Sequence, residues 1–169
     1  EYPYYAENWH AVPIVYHTKF EEGWQINSED LEKLINPETR AIIINSPNNP
    51  TGIIYTQDTI NKLAAMLKRK SEEYGRPIYI ISDDVYARVI PSTSKTHRIF
   101  KVYDYSVVCY SLSKDLSLPG ERIGAICCNP LLKGVELFVH CAAHANEIMG
   151  FVHTNRVGMR VAARCLPAL

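Results

Sequence analysis

A three-layer α/β/α sandwich, with a mostly parallel sheet and one antiparallel strand, is predicted by three features of the sequence. Apolar runs at 41–44, 78–81 and 107–110 each stop abruptly at polar residues, as strands covered on both faces do. A segment of helical periodicity separates the first two runs, and strand alternating with helix marks a parallel, doubly wound sheet. A fourth run, Ile123 to Cys128, follows the third too closely for a helical crossover, so it is expected to return antiparallel.

Taken in order, the β-branched stretch Val12 to Tyr16 predicts a strand. Ser28 predicts the cap of a helix in which Leu31, Leu34 and Ile35 recur at helical spacing. The run 40–45 ends in the turn-rich Ser46-Pro-Asn-Asn-Pro-Thr-Gly52, a loop leaving a strand's carboxyl end. From Thr56, Ile60, Leu63, Ala64 and Leu67 share one helical face. Lys68-Arg69-Lys70 with Glu72 and Glu73 fit the solvent side, and Gly75 is a stop signal. From Leu131 the apolar residues suggest one long helix or two, with Gly134 and Gly150 as candidate breaks.

The 18 basic and 18 acidic side chains cancel, leaving no global bias toward nucleic acid or an anionic membrane. No apolar run reaches bilayer length. The five cysteines are odd in number and form no C-x-x-C pair, which argues against a disulfide framework and for a reducing, cytoplasmic setting. Apolar residues make up 47% of the chain, enough for one core of ordinary domain size. The chain opens at Glu1 in an aromatic segment and closes straight after a helical pattern, so it reads as a fragment of one domain.

In open α/β sheets, ligands collect beyond the carboxyl ends of strands. The residues there are Asn49, then Asp83 and Tyr86, then Ser111, Lys114 and Arg122. An amide, a carboxyl, a phenol, a hydroxyl, an amine and a guanidinium together suit an aromatic, phosphorylated aldehyde.

Ser46-Pro-Asn-Asn-Pro-Thr-Gly52, Ile81-Ser-Asp-Asp-Val-Tyr86 and Ser111-Leu-Ser-Lys-Asp-Leu-Ser-Leu-Pro-Gly-Glu-Arg-Ile-Gly124 resemble, in order and spacing, the three signature blocks of the class I/II aminotransferases. These are pyridoxal 5′-phosphate (PLP) enzymes of fold type I, and the resemblance covers essentially the whole chain. It implies the central part of the PLP-binding large domain, 1–169, lacking an upstream phosphate loop and a C-terminal arginine for the substrate carboxylate.

The resemblance makes Lys114 the Schiff-base lysine and proton shuttle, a role needing a neutral primary amine that a cationic or desolvating neighbourhood favours. Asp83 matches the carboxylate that keeps the pyridine nitrogen protonated, Tyr86 and Asn49 the partners of the 3′-oxygen, and Ser111 and Arg122 the phosphate grip, with Ser113 as a helper. Tyr2, and behind it Tyr5, matches an aromatic that stacks on the cofactor or lines the pocket. The family often holds a cis bond at the position of Asn49–Pro50. Implied too are amino-acid and 2-oxo-acid substrates and a homodimer.

Other readings use the same residues. A lyase or elimination reaction on the same scaffold, or a PLP-sensing domain of a transcription regulator, would share the cofactor cage. Ser111-Leu-Ser-Lys114 also fits the S-x-x-K motif of serine acyl-transferring enzymes, which should open a helix and be accompanied by K-T-G; here the nearest candidate is Lys95-Thr96-His97. His140 and His144, with Glu147, have a spacing that suits a metal on one helical face, although the glutamate of H-E-x-x-H is missing and ordinary helix histidines are the simpler reading.

Overall fold

The computed structural model describes residues 1–91 and 93–165. Four strands, β1 (Ala41–Asn45), β2 (Tyr79–Asp83), β3 (Ser106–Ser111) and β4 (Gly124–Cys128), form one sheet in the order β1-β2-β3-β4. The first three are parallel, in register from Ala41↔Tyr79 to Asn45↔Asp83 and from Ile80↔Ser106 to Asp83↔Cys109. β4 runs antiparallel to β3, from Val107↔Cys128 to Ser111↔Gly124, as its short connection requires. The amino end of β4 therefore meets the carboxyl ends of the other three.

The described residues also form six α-helices: α1 (Tyr2–Glu7), α2 (Ser28–Glu32), α3 (Gln57–Glu73), α4 (Leu112–Asp115), α5 (Val135–Ile148) and α6 (Arg156–Cys165). The α3 crossover starts where the Thr56 hydroxyl accepts the Thr59 N–H at 3.1 Å, with Asp58 in its first turn and Lys70 in its last, both favourable to the helix dipole. It ends where the Gly75 N–H reaches Glu72 O at 3.2 Å, Gly75 taking the left-handed φ of +67° that favours glycine. Its inner face buries Ile60, Leu63, Ala64, Met66 and Leu67 in one cluster with Ile44, Ile78 and Ile80. Each such large side chain contributes roughly 1.5–3 kcal/mol by leaving water.

The opposite sheet face is covered unevenly. Phe138 of α5 lies 5.8 Å from Tyr79, ring centre to ring centre, and shields the start of β2, whereas Ile43 stays 39% and Ile126 57% exposed. The apolar run at 40–45 thus lacks the two-sided cover predicted for it. Alternation puts Ile42 and Ile44 toward α3 and leaves Ala41 and Ile43 on the open side.

Two further expectations are corrected and a third is met. Val12 to Tyr16 forms no strand and pairs with nothing in the sheet. The cap of α2 is Asn27, whose side chain accepts from Glu29 N at 3.0 Å and Asp30 N at 3.3 Å. The helix stops at Glu32, so Leu34 and Ile35 lie beyond it and only Leu31 is buried from within. Among the described residues after Leu131 there are two long helices: Gly134 (φ +78°) opens α5 and Gly150 (φ +87°) follows its end.

Gly124 is required by packing. A Cβ there would stand 2.8 Å from the Tyr110 carbonyl oxygen, inside van der Waals contact with a backbone atom that pairing holds in place.

Candidate functional site

Every residue singled out beyond a strand end lies on one edge of the sheet. Asn49 follows β1, Asp83 closes β2 with Tyr86 in the next turn, Ser111 closes β3 with Ser113 and Lys114 in α4, and Arg122 precedes β4. The mixed topology explains the convergence, since three strands leave at this edge and one enters.

The β1 side hangs on a residue that sequence reasoning missed. Asn45, 8% exposed, donates through Nδ2 to the Asp83 carbonyl at 2.9 Å, while its Oδ1 accepts the Asn49 N–H at 2.8 Å. One amide thus ties the Asn49 turn to the strand end that carries Asp83. An amide closing an otherwise apolar strand was the available signal. Asn49 itself is exposed, the Asn49–Pro50 bond is cis as expected, and Ser46–Pro47 is cis as well.

At β2, the Tyr2 hydroxyl donates to Asp83 Oδ2 at 2.5 Å, and the Val85 N–H approaches Oδ1 at 3.4 Å. Burial, then the bond to Asp83, pushes the Tyr2 phenol well above its usual value, so it stays protonated and remains a donor. Tyr5 points its hydroxyl instead to Glu1, at 3.2 Å, and takes no part. Beside Asp83 on β3, the Cys109 thiol is pushed up to about 11 by burial and then by the charges of Asp83 and Asp84. It is held as a thiol, not a thiolate nucleophile.

At β3, Ser111 caps α4, a helix of a single turn, by accepting the Ser113 N–H at 3.1 Å; its hydroxyl reaches Ser113 Oγ at 2.9 Å and Ile123 O at 3.3 Å. The S-x-x-K segment does open a helix. Its lysine turns elsewhere: exposed Lys114 holds Nζ 5.9 Å from the centre of the Tyr86 ring. Arg122, also exposed, sits in the left-handed region at φ +52° and donates from Nη1 to Pro119 O at 2.8 Å.

Beneath this edge lies a second acid. Ser82 Oγ donates to Asp84 Oδ1 at 2.5 Å, and burial raises the Asp84 carboxyl above its ordinary value. His97 is 6% exposed with neither ring nitrogen hydrogen-bonded among the described residues, and burial lowers it from 6.5 despite the Asp84 charge. A histidine kept neutral in the folded state binds its proton more readily once unfolded, so it costs stability as pH falls below about 6.5. Raised Asp84 acts with opposite sign, the folded form there binding the proton more readily. Urea midpoints measured from pH 7.5 to 5.5 should therefore fall more steeply for the parent protein than for His97→Leu; parallel profiles would remove His97 as the cause.

Elsewhere, His144 Nδ1 stands 3.9 Å from Glu147 Oε2 with both side chains largely exposed, and among the described residues no three His, Cys, Asp or Glu side chains group around a common point. Nor is any helix among them long and apolar enough to cross a membrane.

An open α/β sheet with its polar groups gathered beyond the strand ends is the frame of a small-molecule site. Comparison with known proteins makes this specific: the chain belongs to the family described as aminotransferase class I and II, which matches residues 1–168. It is 33% identical over 131 residues to a probable aspartate/prephenate aminotransferase of Aquifex aeolicus, covering 75% of this chain and 32% of that protein. An aspartate aminotransferase of Bacillus sp. (strain YM-2) is 30% identical over 118 residues, 68% of this chain and 29% of that protein. Among solved structures, an amino transferase of Eubacterium rectale superposes with a TM-score of 0.81 at 41% identity, over 90% of this chain and 39% of that one. Aspartate aminotransferase from Thermus thermophilus with maleate gives 0.67 at 27% identity, over 79% and 34%. The chain thus spans about a third of the length of the relatives it matches.

The family depends on pyridoxal 5′-phosphate, and the residues present suit that group. A solvent-open amine stands by a phenol, a carboxyl at the strand end takes a hydrogen bond from a phenol, and an exposed guanidinium shares its segment with a serine hydroxyl.

Proposed function

We propose that the protein containing this chain transfers an amino group between an L-amino acid and a 2-oxo acid with pyridoxal 5′-phosphate, and that residues 1–169 are the central part of its cofactor-binding domain. The observation that carries the reading is the joint one of Lys114, Tyr86 and Asp83 at one sheet edge in a chain of this family. The open sheet face at Ile43 and Ile126 supports the assignment to part of a larger domain, since apolar faces of α/β sheets are normally covered.

In this reading Lys114 would hold the cofactor through its aldehyde carbon, and its Nζ would serve as the base at the substrate α-carbon. Asp83 would keep the ring nitrogen protonated. Tyr86 and Asn49 would donate to the 3′-oxygen, Tyr2 would contribute an aromatic side chain to the pocket, and Ser111, Ser113 and Arg122 would bind the phosphate, Arg122 with fixed charge and planar donors. Bound cofactor supplies the electron sink for the charge left on the α-carbon.

The names of the relatives make L-aspartate the first amino donor to try. Full-length protein loaded with cofactor should convert 2-oxoglutarate to glutamate in its presence; release of ammonia without glutamate, from any donor, would overturn the assignment in favour of elimination. We further propose a cytoplasmic homodimer: the free cysteines suit a reducing setting, and the family resemblance implies a dimer. Sedimentation of the active protein as a monomer would contradict that.

A further inference from the structure

The one-turn helix bearing Lys114 has little stability of its own. Its internal bond runs from Leu116 N to Leu112 O at 3.2 Å, and so short a helix is not self-supporting. Ser111 caps it at one end, yet the reading above also asks the Ser111 hydroxyl to serve a phosphate. What holds the other end is Asp115, the residue after the lysine.

Only 6% of the Asp115 side chain is exposed. It accepts a hydrogen bond from the Tyr110 hydroxyl on β3 and lies 3.6 Å from Arg88 Nε, Arg88 being itself one-third exposed. Burial, then the bond to Asp115, raises the Tyr110 phenol, which keeps it a donor. Arg88 stands two residues past Tyr86 in the turn after β2. The ion pair therefore joins the immediate neighbour of Lys114 to the near neighbour of Tyr86, and across that join Lys114 Nζ comes to 5.9 Å from the Tyr86 ring.

We infer that Asp115, held between Arg88 and Tyr110, is a positioning residue that sets the Lys114 amine against Tyr86 for capture of the cofactor. The pair, buried on the Asp115 side, is worth keeping for geometry rather than stability, since such pairs often contribute little net energy while removal of the partner leaves the buried carboxylate uncompensated. The inference rests on Lys114 being the residue that bonds the cofactor.

The test uses full-length protein stripped of cofactor and measures two quantities. One is the rate at which Lys114 captures saturating pyridoxal 5′-phosphate, fixed with borohydride and read by mass spectrometry. The other is the affinity for pyridoxine 5′-phosphate, which has the same ring and phosphate but no aldehyde. Asp115→Asn and Arg88→Gln should each slow capture by about tenfold, as small misplacements of a reacting group do, with analogue affinity close to the parent value. The double variant should be no slower than Asp115→Asn alone, the mark of residues acting as one unit. Tyr110→Phe, the mildest change, should slow capture less, and Asp115→Glu should restore most of the rate. Capture at the parent rate in Asp115→Asn, or an equal loss of analogue affinity, overturns the clamp. A parent protein that never labels Lys114 overturns instead the functional reading beneath it.

Discussion

Lys114→Ala in the full-length protein is expected to abolish amino transfer and to eliminate the borohydride-fixed pyridoxyl label, while leaving noncovalent binding of pyridoxine 5′-phosphate measurable. Two losses combine. The covalent hold on the cofactor disappears, and so does the base at the α-carbon, a contribution typically worth about 10²–10⁴ in rate by itself. Because Lys114 is exposed and makes no internal hydrogen bond among the described residues, its removal should leave the melting temperature nearly unchanged. A pyridoxyl label on any other lysine, with turnover retained, would show that the anchor has been misassigned.

Asp83→Asn is expected to have the next largest effect, lowering turnover by about a hundredfold or more, since in the role proposed for it the carboxylate is the preorganised charge that would keep the cofactor's ring nitrogen protonated. Folding should survive. The Asp83 carbonyl accepts from Asn45 Nδ2 and the Ser46 N–H, and the substitution leaves both bonds in place. The Tyr2 hydroxyl can donate to an amide oxygen as it does to Asp83 Oδ2, so the local geometry has a substitute acceptor. Stopped-flow half-reactions with L-aspartate would read the effect directly, and near-parent rates in the variant would place the essential carboxyl elsewhere.

The parallel core and the reversal at β4 were legible because both follow from linear quantities, the length of an apolar run and of the connection after it. The ends of α2 were not, because Asn27 and Ser28 are both good capping residues and the choice between them depends on backbone geometry: Asn27 lies in the extended region and presents its oxygen to two N–H groups. Val12 to Tyr16 has strand-like composition without a strand, since β propensity is realised only where a sheet edge offers pairing. In the site, the positions of Asn49, Asp83, Ser111, Lys114 and Arg122 relative to the strand ends were readable from motif order. The Asn45 bridge, the Tyr2–Asp83 bond and the Arg88–Asp115 pair were not, because each joins residues whose separation in sequence carries no periodic signal.

The reversal at β4 has a consequence for how the edge is assembled. Closing a loop loses chain entropy in proportion to the logarithm of its length, so pairing Ser111 with Gly124 forfeits about 1 kcal/mol less than pairing Ala41 with Tyr79 across the whole of α3. The contacts that bring Lys114, Ser111 and Arg122 together are therefore of low contact order, whereas those that bring Asn49 to Asp83 exist only once a complete crossover has folded back. One sheet edge thus carries a local half and a non-local half, and the entropic penalty for building it falls mainly on the side that holds the carboxylate.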